Sequence, residues 1–165
     1  MGVQIAIASK PVAEVELFVG DEPRADRGQL FDDVAAMLDG ADQFIPVREH
    51  TGRVRLIPKH AIAWIAIPLR DSRATPGDAE LVTLYDRRHR VEIEVAMVPD
   101  LAIDPGPDAP NRLGGLLLDS APADRPRALD HLNRALRFVR LWTSEHHVLI
   151  NKSRILEVIE VADAE

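Results

Sequence analysis

The sequence predicts a mainly β protein with short helices, of the α+β class, that is a tandem duplication of a small barrel unit. Three observations lead to this prediction. Apolar and polar residues alternate over short runs, which is the pattern of half-buried strands. Two parts of the chain share apolar residues in the same order, and only short stretches have the spacing of an amphipathic helix. A chain of 165 residues is long enough for one ordinary domain or two small ones.

The composition excludes several classes of protein. With 46% hydrophobic residues, 12 prolines, 9 glycines and no cysteine, the chain is not collagen-like, disulfide-rich or wholly disordered. The lack of cysteine removes disulfides, thiol nucleophiles and cysteine-ligated metal sites. A net charge of −7 opposes non-specific attraction to nucleic acid and to anionic lipid.

The first residues lack the features of a secretion signal or a membrane span. No positive residue precedes the first apolar run, and Lys10, Pro11 and Glu14 interrupt it well before the length of a span. We therefore expect a cytoplasmic protein with no membrane partner.

The duplication is predicted from segments that recur in order. Residues 15–19, VELFV, match residues 91–95, VEIEV, as the first strand of each copy. Apolar segments that contain glycine follow, around Gly28 and Gly115. Both are interpreted as a second, strand-like segment of the copy.

The later segments align without gaps. Phe44 aligns with Phe138 at an offset of 94 residues, and Lys59 aligns with Lys152 at an offset of 93. Each copy therefore predicts the order strand, strand, helix, strand, strand, strand. The aligned residues predicted to be most buried are Leu38, Leu132, Ile62, Ile155, Phe44 and Phe138.

The helix of each copy is predicted from an apolar stripe. In copy 1 the stripe consists of Val34, Met37, Leu38 and Ala41, and Asp32 or Asp33 is the expected N-cap. This capping role also accounts for the paired carboxylates, which otherwise suggest a catalytic pair. In copy 2 the stripe consists of Leu129, Leu132 and Leu136.

The copies divide the chain into residues 1–68 and 81–165, joined by a linker at residues 69–80. Residues 81–85, LVTLY, predict an extra strand. Units of this size are small for independent stability, so we expect them to pack on each other or on another subunit. Short, strongly bent sheets close most easily as five-stranded barrels of the SH3-like or Sm-like type.

Part of copy 1 resembles a known family. The strings GQL, DQFIPV and IPKHAIAWIAIP, between Gly28 and Pro68, resemble the bacterial Sm-like RNA chaperone Hfq. The resemblance implies a uridine-binding rim at a subunit interface. In this sequence the rim positions are Gln43, Phe44, Lys59 and His60, with Phe44 stacking on a base.

The whole chain also resembles a group of bacterial tandem small-barrel proteins. The shared pattern is a helix, Arg-Phe, a strand and Asn-Lys-x-x-Ile, which matches Phe138 and Lys152 here. This second resemblance implies no activity.

Basic residues supply the remaining candidate contacts. Lys152 shares the position of Lys59, so both are interpreted either as ligand or phosphate contacts or as lysines lying over a barrel edge. His60 is either a nucleic-acid contact or an ordinary surface histidine. Arg87 and Arg88 begin the run RRHR, which is either a solvated turn or a contact to a phosphate or an acidic partner.

Neither a metal site nor an enzyme signature is found in the sequence. His146 and His147 are adjacent, and adjacent residues of a strand point to opposite faces, so they do not chelate one ion together. No phosphate-binding glycine loop is present, because Gly114 and Gly115 are not followed by the lysine and hydroxyl residue of such a loop. We expect no cofactor and no enzymatic activity.

Two functions remain. The first is a non-enzymatic binding or assembly module that uses exposed strand edges to contact a partner protein or further copies of itself, as a homo-oligomer. The alternative is an Sm-like RNA-binding protein that uses the rim of copy 1. We favour the first, because it fits the acidic charge, whereas RNA binding must overcome it.

Overall fold

The protein is mainly β. The computed structural model describes residues 2–8, 10–18, 27–68, 91–97, 112–117, 128–143 and 145–161. The strands are β1 (Gly2–Ile7), β2 (Ala13–Leu17), β3 (Phe44–Arg48), β4 (Val54–Pro58), β5 (Ile62–Pro68), β6 (Val91–Met97), β7 (Arg112–Leu117), β8 (Phe138–Trp142), β9 (His146–Asn151) and β10 (Ile155–Glu160). The helices are α1 (Arg27–Asp39) and α2 (Ala128–Leu132), and short 3-10 turns at Lys59–Ala61 and Lys152–Arg154 precede β5 and β10.

The ten strands of the described residues form one antiparallel sheet in the order β10-β6-β7-β8-β9-β5-β1-β2-β3-β4. The first half of the chain, residues 2–68, contributes β5-β1-β2-β3-β4. The second half, residues 91–161, contributes β10-β6-β7-β8-β9. In both halves the last strand in sequence comes first in the sheet, and the other four follow in chain order, so β1 to β5 correspond to β6 to β10. The register also corresponds, since Phe44 faces Pro58 in β3 and β4, and Phe138 faces Asn151 in β8 and β9.

The expected closed barrels are not formed. Within the described residues the sheet stays open, because β9 pairs with β5 of the other half, from Trp64 opposite Ile150 to Pro68 opposite His146. We call this pairing of β5 with β9 the junction. The strand that could close the first half is thereby occupied by the second half.

The hydrophobic core runs across the junction on both faces of the sheet. One cluster joins Phe138 and Leu149 of the second half to apolar residues of the first half. The other joins Trp64 and Ala66 of the first half to apolar residues of the second half. Each half therefore has a cluster built mostly from its own residues and completed by residues of the other half.

The first elements of copy 1 differ from the prediction. The first strand is Gly2–Ile7, which the alignment missed, and residues 15–19 overlap β2. Gly28 lies in α1 and not in a strand. Because α1 begins at Arg27, Asp32 and Asp33 lie inside the helix and do not cap it.

The apolar stripe of α1 begins one turn earlier than predicted, and Ala41 is exposed and lies beyond the helix. Phe31, Val34, Ala35 and Leu38 are buried at helical spacing. The helix lies against β8 of the other half, where Arg140 Nη1 is 2.7 Å from Asp32 Oδ1. It therefore reinforces the junction.

The burial predictions hold for only part of the set. Leu38, Ile62 and Phe138 are buried as predicted, whereas Leu132 and Ile155 are half-buried. Phe44 was also expected to be buried, but it is 52% exposed while Phe138 is 2% exposed. Phe138 is covered because it packs among apolar residues of the first half, whereas Phe44 is on β3, next to the edge strand β4.

Three predicted features lie outside the described residues: the linker at 69–80, the strand at 81–85, and Arg87 with Arg88. Within the described ranges, no helix is both long and apolar enough to span a membrane.

Candidate functional site

Lys59 is the most unusual of the candidate residues, because it is fully buried. Its ammonium group donates hydrogen bonds to the carbonyl oxygens of Met37 and, at 3.0 Å, Gly40. These carbonyls are at the C-terminal end of α1, where unpaired carbonyls favour a cation. Desolvation lowers the pKa of Lys59 below the usual lysine value. The side chain therefore closes the helix and is not presented to solvent.

Lys152 makes the same arrangement in the second half. Its Nζ donates to the carbonyl oxygens of Leu132 and Arg134, both at 2.7 Å, at the end of α2. Desolvation lowers its pKa as well. Both aligned lysines thus bind helix carbonyls, which leaves neither arranged as a free phosphate contact.

The other rim positions are exposed but not clustered around a cation. The side chains of Gln43, Phe44 and His60 are exposed. Gln43 accepts a 2.9 Å hydrogen bond from the Lys59 amide through its carbonyl oxygen, which fixes the 3-10 turn to β3. With Lys59 buried, the rim retains the Phe44 ring and the His60 imidazole.

The outer edge of β4 is the first of two open strand edges. The Lys59 amide bonds to Gln43, and the Arg53 carbonyl accepts a 2.9 Å bond from the Glu49 amide, so odd-numbered residues of β4 turn their backbone groups toward β3. Because backbone groups alternate along a strand, those of Val54 and Leu56 point to the open side. Within the described residues β4 has no second strand neighbour.

The outer edge of β10 is the second open edge. The Val161 amide donates to the Glu92 carbonyl at 2.9 Å, so odd-numbered residues here face β6. By the same alternation, Val158 and Glu160 direct their amide and carbonyl groups outward. Among described residues, β10 pairs only with β6.

Exposed apolar side chains concentrate around these two edges. The described residues include nine large exposed hydrophobic side chains. Four are on the edge strands and a fifth directly follows β10. The set on and beside the edges is Val54, Leu56, Leu156, Ile159 and Val161.

The two edges carry opposite charges. Arg53 and Arg55 are exposed at the β4 edge, and Arg55 Nη1 lies 2.7 Å from Glu49 Oε1. Glu157 and Glu160 are exposed at the β10 edge, where Glu157 Oε2 lies 3.0 Å from Arg112 Nη2 and Glu160 accepts a hydrogen bond from the Ala128 amide. Opposite charges favour the approach of unlike strands, and like charges disfavour the approach of like strands.

The junction shows what such an edge looks like when it is covered. From Val148 to Ile150, β9 is buried, as is β5 from Ile62 to Ile67. The buried Asn151 side chain adds a cross-junction hydrogen bond, donating from Nδ2 to the Ile62 carbonyl at 2.8 Å. Its Oδ1 accepts from the Ser153 amide at 3.1 Å, which fixes the following turn.

No group of three or more His, Asp or Glu side chains that could hold a metal ion occurs in the described ranges. Comparison of the chain with protein-family models, with curated proteins and with solved structures gives no match. The open edges were not identified residue by residue from the sequence. The signal that could have found them is the contrast between VRLIP or ILEVIE, where charges interrupt the strand, and the apolar IAWIAIP of β5.

Proposed function

We propose that this chain is a non-enzymatic assembly module, formed by two copies of one small β unit, that works through protein–protein contacts at its strand edges. The support for the duplication is the repeated strand order and the matching register of β3 with β4 and of β8 with β9. The support for the function is that the sheet ends in two strands whose outer backbone groups are unpaired in the described structure.

The observation that carries the proposal is the pair of open edges with exposed apolar residues. Natural β proteins usually shorten, cover or charge their edges, because an open edge is a template for another strand. Leu56 on β4 and Leu156 on β10 are 69% and 65% exposed. Isolated exposed leucines are common, but a group of apolar side chains beside unpaired backbone groups suits strand addition by a partner.

The experiment is a measurement of molar mass by size-exclusion chromatography with light scattering over a range of concentrations. We expect a mass above the 18.3 kDa of one chain, rising with concentration, or a protein partner that co-purifies in a fixed ratio. A single-chain mass at every concentration with no retained partner contradicts the proposal.

RNA binding is the second candidate, and the exposed Phe44 ring favours it. An exposed aromatic ring can stack on an unpaired base. Two observations weigh against RNA binding. The Lys59 ammonium group is bound to helix carbonyls and so does not face an RNA ligand. The net charge of −7 opposes phosphate binding.

An RNA shift assay with a uridine-rich oligonucleotide at two salt concentrations tests this candidate. We expect no shift at moderate salt for the parent protein or for Phe44→Ala. A tight shift with the parent that is lost in Phe44→Ala would favour RNA binding over the assembly proposal.

A further inference from the structure

We propose that copies of this chain associate head to tail, with β4 of one copy pairing antiparallel with β10 of the next in the register of the junction. This inference rests on the proposed function and names the partner: a second copy of the same chain. The two free strands correspond to the two strands of the junction, since β4 has the place of β9 and β10 has the place of β5 in the order of each half.

The unpaired backbone groups match those that the junction already uses. In the junction, His147 faces Ile67 and Leu149 faces Ile65. Corresponding positions lie 93 residues apart, as Lys59 and Lys152 do. They are Val54 and Leu56 on β4, whose backbone groups point outward by the alternation described above.

Transferring the junction register to the free edges gives one specific pairing. Leu56 then faces Val158, Val54 faces Glu160, and Arg55 faces Ile159 of the next chain. On β10, Val158 and Glu160 are the residues whose backbone groups point outward. Both edges therefore present the hydrogen-bonding positions that this register needs, and no shift of either strand is required.

The same pairing covers the exposed apolar side chains. Leu56 corresponds to Leu149 of the junction, which is fully buried, and Phe44 corresponds to Phe138, which packs in the core of the other half. Burial of this surface supplies the favourable term for association.

The α2 helix supplies an independent observation. Leu129 on α2 is 59% exposed, and the corresponding residue of α1 is Ala35, which is fully buried. In this chain α1 lies against β8 of the other half. The matching neighbour of α2 is β3 of the next copy, the strand that begins with the exposed Phe44. One interface thus accounts for exposed residues on a helix and on three strands.

Charge selects the unlike pairing over the like pairings. Two β4 edges would bring Arg53 and Arg55 against their own copies, and two β10 edges would do the same for Glu157 and Glu160. In the register given above, pairing β4 with β10 places Arg55 opposite Ile159 and diagonally across from Glu157 on the same face, so unlike charges become neighbours. The association is therefore heterologous. It continues from copy to copy and either closes into a ring or extends as an open filament.

The test uses two variants that each block one edge. Leu56→Pro removes an outward amide of β4 and leaves β10 intact. Glu160→Pro removes an outward amide of β10 and leaves β4 intact, but it also removes the carboxylate that accepts a hydrogen bond from the Ala128 amide at the start of α2, so Glu160→Gln serves as its control for loss of that charge. Proline on an edge strand, with its missing amide on the open side, is compatible with folding. Thermal melts check the fold of each variant. The test is then repeated without proline, with Leu56→Asp as the β4 variant and Glu160→Lys as the β10 variant.

Light scattering is measured on each variant alone and on their equimolar mixture, with Val12→Lys as a control for loss of an exposed apolar residue away from both edges. We expect each edge variant alone to have the mass of one chain, the mixture to have twice the 18.3 kDa of one chain, and the control to associate as the parent does. The mixture pairs the one intact β10 with the one intact β4 and then stops.

The other outcomes separate this inference from the proposed function. If the parent associates and both edge variants still associate alone, the module function stands and the edge pairing is wrong. If only one of the two edge variants still forms dimers, a symmetric pairing of like edges replaces the head-to-tail one. If the parent itself stays at the mass of one chain and retains no partner, both the inference and the proposed function are wrong.

Discussion

The junction and the outer edges are formed by corresponding strands with opposite surface character. At the junction, β5 reads IAWIAIP and is buried over almost its whole length. At the outer edge, β10 reads ILEVIE and is at most half-buried. The junction is intramolecular, so its strands can be apolar throughout, whereas an edge that spends time in solvent needs charge to limit non-specific pairing. The comparison teaches that the sequence distinguishes an inner strand, which is paired on both sides, from a strand at the edge of the described sheet.

The largest expected effect comes from truncating a leucine at the junction, which is compared with the corresponding leucine at an outer edge. Leu149 of β9 is fully buried at the junction, and Leu56 holds the corresponding place on β4. Leu149→Ala is expected to lower the free energy of unfolding by about 2–5 kcal/mol, because it leaves a cavity in the shared core. Leu56→Ala is expected to change the stability of the single chain by less than about 0.5 kcal/mol.

Chemical denaturation at a concentration where the chains are dissociated measures both values. Leu56→Ala should in addition weaken self-association, because Leu56 lies in the proposed interface. Leu149→Ala should affect self-association under native conditions only because it destabilises the fold. Equal losses of stability for the two leucines would contradict the assignment of β4 as an open edge.

A second comparison tests how tightly the inner strands approach. At Gly115 in β7, a Cβ atom would lie 2.5 Å from the carbonyl oxygen of Trp142 in β8, whereas at Gly114 it would meet nothing within 4 Å. Gly115→Ala is therefore expected to cost about 1–3 kcal/mol through overpacking. Gly114→Ala is the matched control and is expected to be neutral or slightly stabilising. Similar melting temperatures for the two variants would show that β7 and β8 approach less closely than the structure indicates.

The two lysines that bind helix carbonyls, Lys59 and Lys152, allow a further comparison between the halves. Lys59→Met leaves the Met37 and Gly40 carbonyls without their donor, and the loss is expected to be about 1–3 kcal/mol. Lys152→Met is expected to cost less, because Lys152 is only half-buried. Denaturant titration of both variants measures the difference, and a larger loss at Lys152 would contradict it.

The pH dependence of the Lys59 contribution has a defined sign. Desolvation lowers the pKa of Lys59 in the folded protein below the ordinary value of 10.5. Between the folded pKa and 10.5 the unfolded chain holds more protons, so stability rises with pH in that interval and is unaffected below it. The stability of the parent relative to Lys59→Met should therefore increase as the pH approaches 10.5. A decrease would mean that the hydrogen bonds to the carbonyls outweigh desolvation.

The smallest effect is expected at an ion pair across the junction. Arg140 Nη1 lies 2.7 Å from Asp32 Oδ1, and the aspartate side chain is 66% exposed. Exposed pairs of this kind contribute little, so Arg140→Ala combined with Asp32→Ala in a double-mutant cycle should give a coupling of about 0.2–1 kcal/mol. A coupling above this range would mean that the pair is more shielded from solvent than the exposure of Asp32 indicates.

The sequence predicted the mainly β class and several local elements but not the open sheet. Alternation in residues 91–95 and the aligned Phe138 and Lys152 located strands and a turn, because these depend on neighbouring residues. The closed barrel was wrong, because whether β4 or β9 pairs with β5 depends on a choice between two similar strands far apart in the chain. That choice leaves no periodic signal.

The candidate residues show the same limit. Lys59 and Lys152 were interpreted as ligand contacts or as lysines over a barrel edge, but their partners are helix carbonyls that only the folded chain brings to them. The expectation that Phe44 and Phe138 are both buried was wrong for Phe44, because β3 lies next to the open edge of the sheet whereas β8 lies inside it.

Intermolecular disulfide formation tests the central claim most directly. The natural chain has no cysteine, so any disulfide comes from the introduced residues. In the proposed register Arg55 and Ile159 of neighbouring chains form a non-hydrogen-bonded pair, whose Cα atoms are expected about 4.5 Å apart, within the range that a disulfide bridges. The double variant Arg55→Cys with Ile159→Cys should oxidise to covalent multimers at successive multiples of 18.3 kDa. Each single variant, and Val54→Cys with Ile159→Cys, should not form this series. No multimers from the double variant, or equal multimers from the out-of-register pair, would contradict head-to-tail pairing of β4 with β10.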